Sequence, residues 1–267
     1  MSRYAKILFP VAVLLSLLML SAIAFADGGV TWNSEAEAYF FNEPQSGIVV
    51  CTKMNVREAA KTNAKSYGQI RNGQPVKILG ITDNANFYVL DLASCGFAGQ
   101  PAGSYGYAKS TLIKINPKFL FVKSLTNLYA TPWNTDDLDP NWSYNAPQKL
   151  KNGEQSGRYF LVLGTQTNWY AVQAMENSTG TAFIRVKDVP QQAAQIPNEH
   201  VVVWDAPLLN KDTKTAVQTV KRFTTGNVIG YDGDYAIVTL NNGAITGYME
   251  KMYLAPLVHN EEQIGVG

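Results

Sequence analysis

Residues 54–58 read MNVRE, residues 67–70 read YGQI and residues 72–80 read NGQPVKILG. Farther along, residues 86–90 read NFYVL and residues 106–109 read GYAK. These are short runs in which apolar and polar residues alternate or β-branched and aromatic residues dominate, which is typical of strands. Asn72-Gly73 is a strong signal for a tight turn. Short strands joined by turns, with no pattern of helix length, predict a small, strongly bent antiparallel barrel over residues 54–113.

The same elements recur in the same order in the rest of the chain. Residues 168–172 (NWYAV) resemble residues 86–90, and residues 234–237 (DYAI) resemble them again with Asp in place of the first aromatic residue. The step at residues 106–108 (GYA) recurs at 182–184 (AFI) and 247–249 (GYM), and the start at 56–59 (VREA) recurs at 128–132 (LYATP) and 203–207 (VWDAP). The sequence therefore predicts divergent tandem copies of one β module and an all-β chain.

Boundaries follow from turn residues and from shifts in composition. We expect a lead-in at residues 27–45, with a short helical turn at 35–38 that ends at Pro44-Gln45-Ser46-Gly47, and with aromatic side chains that dock on the first module. We predict three modules, at residues 46–115, 118–189 and 198–257, the second with an insertion at 134–147. A linker is predicted at residues 190–197 and a tail at residues 258–267.

The first residues have the layout of a secretory signal peptide. Arg3 and Lys6 precede an apolar run over residues 7–24, and Ala24-Phe25-Ala26 is a small-x-small cleavage site. We predict a signal peptide at residues 1–26 and an exported mature protein, in the periplasm, the cell wall or outside the cell. The alternative is an uncleaved anchor, because the apolar run just reaches the length that spans a bilayer. No later stretch is apolar enough to span.

Composition narrows the class of partner. The chain is 46% hydrophobic, which is ordinary for a globular protein, but its charged fraction of 16% is low. The formal net charge of +1 gives no electrostatic basis for binding nucleic acid or anionic lipid. No sequence motif indicates a cofactor or a metal site.

Cys51 and Cys95 are the two cysteines of the chain. In an exported protein such a pair predicts a disulfide. Free thiols are the alternative, and a catalytic thiol would need a positioned base such as histidine. His200 and His259 lie far off in sequence and have no recognisable motif around them, so no catalytic residue is predicted.

Residues 55–58, 68–70, 72–80, 86–90 and 106–112 together resemble the bacterial SH3-like (SH3b) domain. The match rests on residues 160–164 and 168–172 in the second module and on residues 203–207, 234–237 and 247–254 in the third. The resemblance implies a small bent barrel in each of three modules, an exported setting and a binding role at the bacterial cell wall. Such modules often accompany a wall-cleaving enzyme, but neither Cys51 nor Cys95 opens a helix as a Cys-His endopeptidase requires.

Aromatic residues are the candidate ligand contacts, because they combine a large apolar area with a polar tip. Trp133, Trp142 and Tyr144 lie in the polar insertion of the second module, where a core role is less expected. Further candidates on the strands are Phe87, Tyr107 and Trp169. The alternative for all of them is packing inside the small cores or between modules.

Residues 136–139 (DDLD) form the single acidic cluster. A solvated loop is the simplest interpretation. A calcium site and a glycosidase carboxylate pair are the alternatives, although the spacing of a calcium-binding loop is absent.

The sequence thus favours an exported, non-catalytic protein that recognises peptidoglycan peptide or glycan through SH3-like modules. A structural or protein-interaction scaffold that holds a separate envelope protein, such as a wall hydrolase, is the second hypothesis. An unrecognised hydrolase is the third.

Overall fold

A computed structural model describes residues 29–97, 99–101, 103–122, 128–129, 132, 158–174, 180–189, 198–240 and 243–258. This part of the chain consists of β-strands joined by turns and short 3-10 turns, and its strands pair antiparallel within three sheets. The all-β fold predicted from the sequence is confirmed. No helix in the described residues is long and apolar enough to cross a membrane.

The first sheet has eight strands, ordered β1-β2-β5-β6-β7-β3-β4 with β8 paired to β2. The strands are β1 (Val30–Asn33), β2 (Ala38–Val49), β3 (Lys53–Arg57), β4 (Ser66–Arg71), β5 (Pro75–Thr82), β6 (Phe87–Asp91), β7 (Tyr105–Lys109) and β8 (Ile113–Ile115).

The second sheet has four strands, ordered β12-β11-β10-β9. They are β9 (Lys118–Val122), β10 (Arg158–Gln166), β11 (Trp169–Ala174) and β12 (Ala182–Arg185). The third sheet has seven strands, ordered β15-β14-β18-β17-β16-β13-β19. They are β13 (Glu199–Val202), β14 (Ala206–Leu209), β15 (Ala216–Val220), β16 (Thr225–Asp232), β17 (Tyr235–Leu240), β18 (Ile245–Glu250) and β19 (Leu254–Pro256).

Strand register shows that the three sheets repeat one pattern. Each contains a strand whose pairing shifts at one apolar residue followed by glycine: Leu79-Gly80 in β5, Leu163-Gly164 in β10 and Ile229-Gly230 in β16. In each sheet this strand begins a three-strand meander (β5-β6-β7, β10-β11-β12 or β16-β17-β18), and a 3-10 turn follows the last strand of the meander, at Ser110–Leu112, Val186–Asp188 and Lys251–Tyr253. The amide that opens this turn donates to a carbonyl in the preceding hairpin: Ser110 to Asn86 (3.0 Å), Val186 to Asn168 (2.9 Å) and Lys251 to Asp234 (2.9 Å).

Register also corrects two details of the sequence alignment. Asp234 occupies the position of Asn86, so Tyr235 and not Asp234 replaces the first aromatic residue. In the module starts, Leu128-Tyr129 is correctly aligned, since Tyr129 bridges Phe183 as Arg57 pairs with Tyr107. In the third sheet that position belongs to Leu209, which pairs with Tyr248, and not to Trp204. Strand pairing decides equivalence here, and local sequence likeness does not.

Apolar side chains form one core per sheet, a further cluster under the β1–β2 hairpin of the first sheet, and a cluster that joins the sheets. The joining cluster takes residues from all three: Ile48, Phe119, Leu161, Val201, Val203, Ala255 and Leu257. Polar contacts reinforce it, because Lys114 Nζ donates to the Leu163 carbonyl at 2.8 Å and Gln173 Nε2 donates to the Val50 carbonyl at 3.2 Å. Buried apolar area shared by all three sheets makes their arrangement part of the folded core.

The N-terminal segment differs from the prediction of a lead-in with a helical turn. Residues 34–37 form a turn between β1 and β2, and Pro44–Gly47 lie inside β2 and do not end an element. The alternating Glu-Ala sequence favours a helical turn locally, but pairing of residues 38–40 with β5 overrides that preference. Phe40 and Phe41 pack on the first sheet as expected, whereas Trp32 and Tyr39 stay exposed and contact each other edge to face, with ring centroids 4.9 Å apart.

Candidate functional site

A groove lies between the first and third sheets. It consists of two adjoining cavities of about 320 Å³ and 480 Å³ that share Glu43–Ser46 and Lys251 in their walls. We call it the inter-sheet groove. Its volume falls within the range of small-molecule sites, and its walls combine many polar and charged side chains with a somewhat larger apolar area.

The wall from the first sheet is built by an irregular stretch of β2. Between the pairs Phe40↔Gly80 and Gln45↔Ile78, residues 41–44 of β2 oppose only Leu79 of β5. A bulge of this size bends a strand away from its partner. Pro44 suits such a stretch because it has no amide hydrogen to pair, and Gln45 Nε2 donates to the Glu43 carbonyl at 2.8 Å. The bulge therefore brings Glu43 and Pro44 to the groove.

The opposite wall is a turn and a 3-10 turn of the third sheet. Gly233, with φ of 56°, and Asp234 connect β16 to β17, and Lys251 opens the 3-10 turn after β18. The positive φ explains the glycine at this turn. The hydrogen bond from the Lys251 amide to the Asp234 carbonyl holds the two turns together at 2.9 Å.

An ion pair bridges the groove. Lys77 Nζ of β5 lies 2.6 Å from Asp234 Oδ2, which joins the first sheet to the third. The Lys77 backbone amide is itself fixed by donation to Ser94 Oγ at 3.0 Å. Glu250, also in the wall, has a pKa raised above its ordinary value by burial, with Asp234 and Asp91 adding to the rise and Lys77 opposing it.

The second cavity adds an aromatic ring and a histidine. Tyr231 is 62% exposed, and Lys251 Nζ lies 5.1 Å from the centre of its ring. His200 has a pKa lowered chiefly by burial, against a smaller rise from its hydrogen bond to the Asn198 carbonyl, 2.7 Å from Nδ1. Because a carbonyl only accepts, Nδ1 carries the proton and Nε2 of the neutral ring is an acceptor.

The sequence-predicted aromatic residues lie elsewhere. Phe87, Tyr107 and Trp169 are at most 9% exposed. Phe87 and Tyr107 are covered by the β1–β2 hairpin, and Trp169 packs edge to face on Tyr129 at 5.2 Å. Trp133, Trp142 and Tyr144 lie outside the described residues, so their binding role stays a prediction, as does that of the three buried rings.

Cys51 and Cys95 are free thiols in this structure, so the predicted disulfide is not formed. Both contact the core of the first sheet. Burial raises the pKa of Cys95 to about 12 and also raises that of Cys51. Since the thiolate is the reactive form in disulfide exchange, burial disfavours reaction at both sulfurs.

Within the described ranges, no three His, Cys, Asp or Glu side chains lie close enough together to hold a metal ion. The acidic cluster at residues 136–139 falls outside those ranges.

Sequence reasoning missed the groove because its residues are far apart in the chain and meet only when the first and third sheets dock. One signal was available. Tyr231 lies near the end of β16 beside Asp232 and the turn residue Gly233, and an exposed aromatic ring next to a polar turn is typical of a binding site.

No protein-family model matches the chain, and no curated protein matches it. Two solved structures with some likeness are "Structure of NlpC2 from Trichomonas vaginalis" and "Structure of NlpC1 from Trichomonas vaginalis". The first has 13% identity and a TM-score of 0.20, and the match covers 51% of this chain and 46% of that one, slightly less than half its length. The second has 9% identity and a TM-score of 0.21, with 85% of this chain and 97% of that one covered. Likeness at these TM-scores supports no statement about fold or function.

Proposed function

We propose that the protein is an exported, non-catalytic binding protein of the bacterial envelope, and that it recognises cell-wall peptide or glycan in the inter-sheet groove. The observation that carries the proposal is the groove itself, with its charged and neutral polar walls and its exposed Tyr231. The proposal of an exported protein rests on the signal-peptide pattern of residues 1–26.

The chemistry of the walls suits a polar polymer. Gln45 and Ser46 offer neutral donors and acceptors, while Lys77, Lys251 and Glu250 offer charges. Tyr231 offers an aromatic face, which stacks on a sugar ring or an apolar side chain and keeps its hydroxyl in water.

The groove is preorganised, which favours affinity. Both of its walls belong to sheets that share the apolar cluster around Ile48, Val201 and Ala255. A site that is held in shape before binding loses less conformational entropy when the ligand arrives.

The test is co-sedimentation of the mature protein with purified peptidoglycan. We expect binding, and we expect Tyr231→Ser to weaken it. Val217→Ser is the matched control, because Val217 is equally exposed (64%) but lies on β15, outside the groove. The pair Trp133→Ala and Trp142→Ala tests the sequence-based site in the same assay. No sedimentation at protein concentrations well above micromolar would contradict the proposal.

One observation favours the second candidate function, a scaffold for a separate envelope protein such as a wall hydrolase. Trp32 and Tyr39 are both exposed on the β1–β2 hairpin, and their ring centroids lie 4.9 Å apart. An adjacent pair of exposed apolar side chains suits a protein interface. A stoichiometric protein partner recovered from the envelope fraction, together with no wall binding, would favour this function.

A further inference from the structure

The charges of the inter-sheet groove are balanced in sign. The wall around the Lys77–Asp234 ion pair also contains Glu250 and Lys251. Among the described residues, neither Glu250 nor Lys251 makes an ion pair. Glu250 and Lys251, neighbours in the sequence, therefore place one carboxylate and one ammonium in this wall outside any direct ion pair, although the charge of Lys77 still acts on Glu250. Glu43 and Lys118 add a second carboxylate and a second ammonium to the groove.

A bound ligand removes water from the groups that it covers. A charge that loses its water needs a hydrogen-bonded counter-charge, or binding is penalised. A neutral glycan offers no counter-charge to Glu250 or to Lys251. A purely anionic ligand leaves Glu250 without one, and a purely cationic ligand leaves Lys251 without one.

We infer that the inter-sheet groove selects a zwitterionic peptide, whose free ammonium pairs with Glu250 and whose carboxylate pairs with Lys251. This inference rests on the proposed function, and it chooses peptide over glycan within it. The half-buried position of Glu250 adds to the argument, because an ammonium group beside it offsets the burial that disfavours its charge. Tyr231, on the far side of Lys251, is placed to contact the side chain of a ligand residue.

The experiment is competition for wall binding. Peptides are released from purified peptidoglycan with an amidase and used in four forms: untreated, N-acetylated, carboxyl-amidated and doubly modified. Glycan strands freed of peptide, with the carboxylates that the amidase leaves on them converted to neutral amides, are the fifth competitor. The mature protein is bound to peptidoglycan, and the competitor concentration that releases half of it is measured.

We expect untreated peptides to release the protein, and each single modification to raise the required concentration about tenfold, since each removes one charge-assisted hydrogen bond. Doubly modified peptides and glycan strands are expected to compete least. Equal competition by untreated and doubly modified peptides, or release by glycan strands alone, would overturn the inference and leave the proposed function standing. Absence of wall binding in the first place would instead remove the proposed function.

Two variants test which residue of the groove pairs with which charged group of the peptide. Glu250→Gln should no longer distinguish untreated from N-acetylated peptides, and Lys251→Met should no longer distinguish untreated from amidated ones. Lys109→Met, an exposed position on β7 that does not line the groove, is the matched control and should keep both distinctions. Circular dichroism melts confirm that each variant is folded. A folded Glu250→Gln protein that still discriminates against acetylation contradicts the assignment.

Discussion

Strands β6 and β17 occupy the same place in the first and third sheets, yet they are buried differently. Along β6, Phe87, Tyr88, Val89 and Leu90 are all buried, whereas β17 alternates between half-buried and buried residues from Tyr235 to Leu240. Strands alternate in this way when one face is covered, and lose the alternation when both are. The second cover of β6 is the β1–β2 hairpin, whose Ala36 and Ala38 pack on Phe87 and Tyr107.

The residues at the bulge differ in exposure in the same way. Leu79 packs under the hairpin, while its equivalent Ile229 is 62% exposed. The repeated unit is therefore complete without a second cover, and the hairpin is an addition to one copy. Both copies border the inter-sheet groove, the covered one through residues 43–46 and Lys77 and the uncovered one through Tyr231, Asp234 and Lys251.

The largest effect expected from this comparison is at the glycine after the bulge. A Cβ at Gly80 would lie 2.3 Å from the Tyr39 carbonyl oxygen of the hairpin, whereas at Gly230 the nearest atom would be Ile237 Cδ1 at 3.4 Å. Backbone atoms of a paired strand cannot move aside as the end of a flexible side chain can. Gly80→Ala should therefore cost about 3 kcal/mol of unfolding free energy. Gly230→Ala should stay within about 0.5 kcal/mol of the parent. Urea unfolding measures both, and equal losses would contradict the role of the hairpin.

A smaller effect is expected at Tyr107 of β7, which faces the hairpin, and at its equivalent in β18, which faces no such cover. Tyr107 donates a buried hydrogen bond of 2.8 Å to the Ala36 carbonyl of the hairpin. Tyr107→Phe leaves that carbonyl without its partner and should cost about 1–2 kcal/mol. The equivalent Tyr248 contacts the exposed Asp232, where water can replace the lost hydroxyl, so Tyr248→Phe should cost less. The two variants are compared by their urea midpoints, and a larger loss for Tyr248→Phe would be the wrong order.

Strand β13 of the third sheet should introduce a pH dependence that its counterpart β2 in the first sheet lacks. His200 takes the place of Gly47, as both pair with a central strand and with the last strand of their sheets. Burial lowers the pKa of His200, so the folded state prefers the neutral ring. This contribution to stability is present above the unfolded pKa of about 6.5 and is lost as the pH falls toward the folded value.

We therefore expect the parent protein to lose more stability between pH 7.5 and pH 5.0 than His200→Gln does. Unfolding midpoints in urea at the two pH values measure the difference. An unchanged pH dependence in His200→Gln would show that the ring is equally hydrated in both states.

The smallest effect is expected at the bridging ion pair. Lys77 of the first sheet corresponds to Asn227 of the third, and Asp234 of the third sheet corresponds to Asn86 of the first. The Lys77–Asp234 pair joins the two sheets at 2.6 Å. Because Asp234 is largely exposed, Lys77→Met should cost at most about 1 kcal/mol, and less at high salt. A double-mutant cycle with Asp234→Asn isolates the pair, and a coupling that does not weaken in molar salt would rule out a solvent-screened contact.

Local patterns in the sequence were enough for the all-β fold and for the internal repetition. The Asn72-Gly73 turn, the alternation in residues 54–57 and the recurring aromatic step each follow from short-range chemistry. The helical turn at residues 35–38 was wrong because pairing with β5, a distant strand, decides that segment.

The groove could not be predicted from the same patterns. Its walls come from Glu43, Lys77, Asp234 and Lys251, which no local motif connects, and their meeting depends on how the shared apolar cluster docks the sheets. The burial of Phe87 and Tyr107 could not be predicted either. The hairpin that covers these two side chains resembles no part of the repeat, so the repeat pattern gives no sign of it.

The central claim is that the inter-sheet groove contacts the cell wall, and site-specific photocrosslinking tests it most directly. A photoreactive phenylalanine is placed at position 231 in the groove or at position 217 on β15, both equally exposed in the parent. The mature protein is then irradiated on purified peptidoglycan. We predict wall-linked protein from position 231 and little from position 217. Crosslinking from position 217 with none from position 231, in protein that still sediments with the wall, would contradict the account.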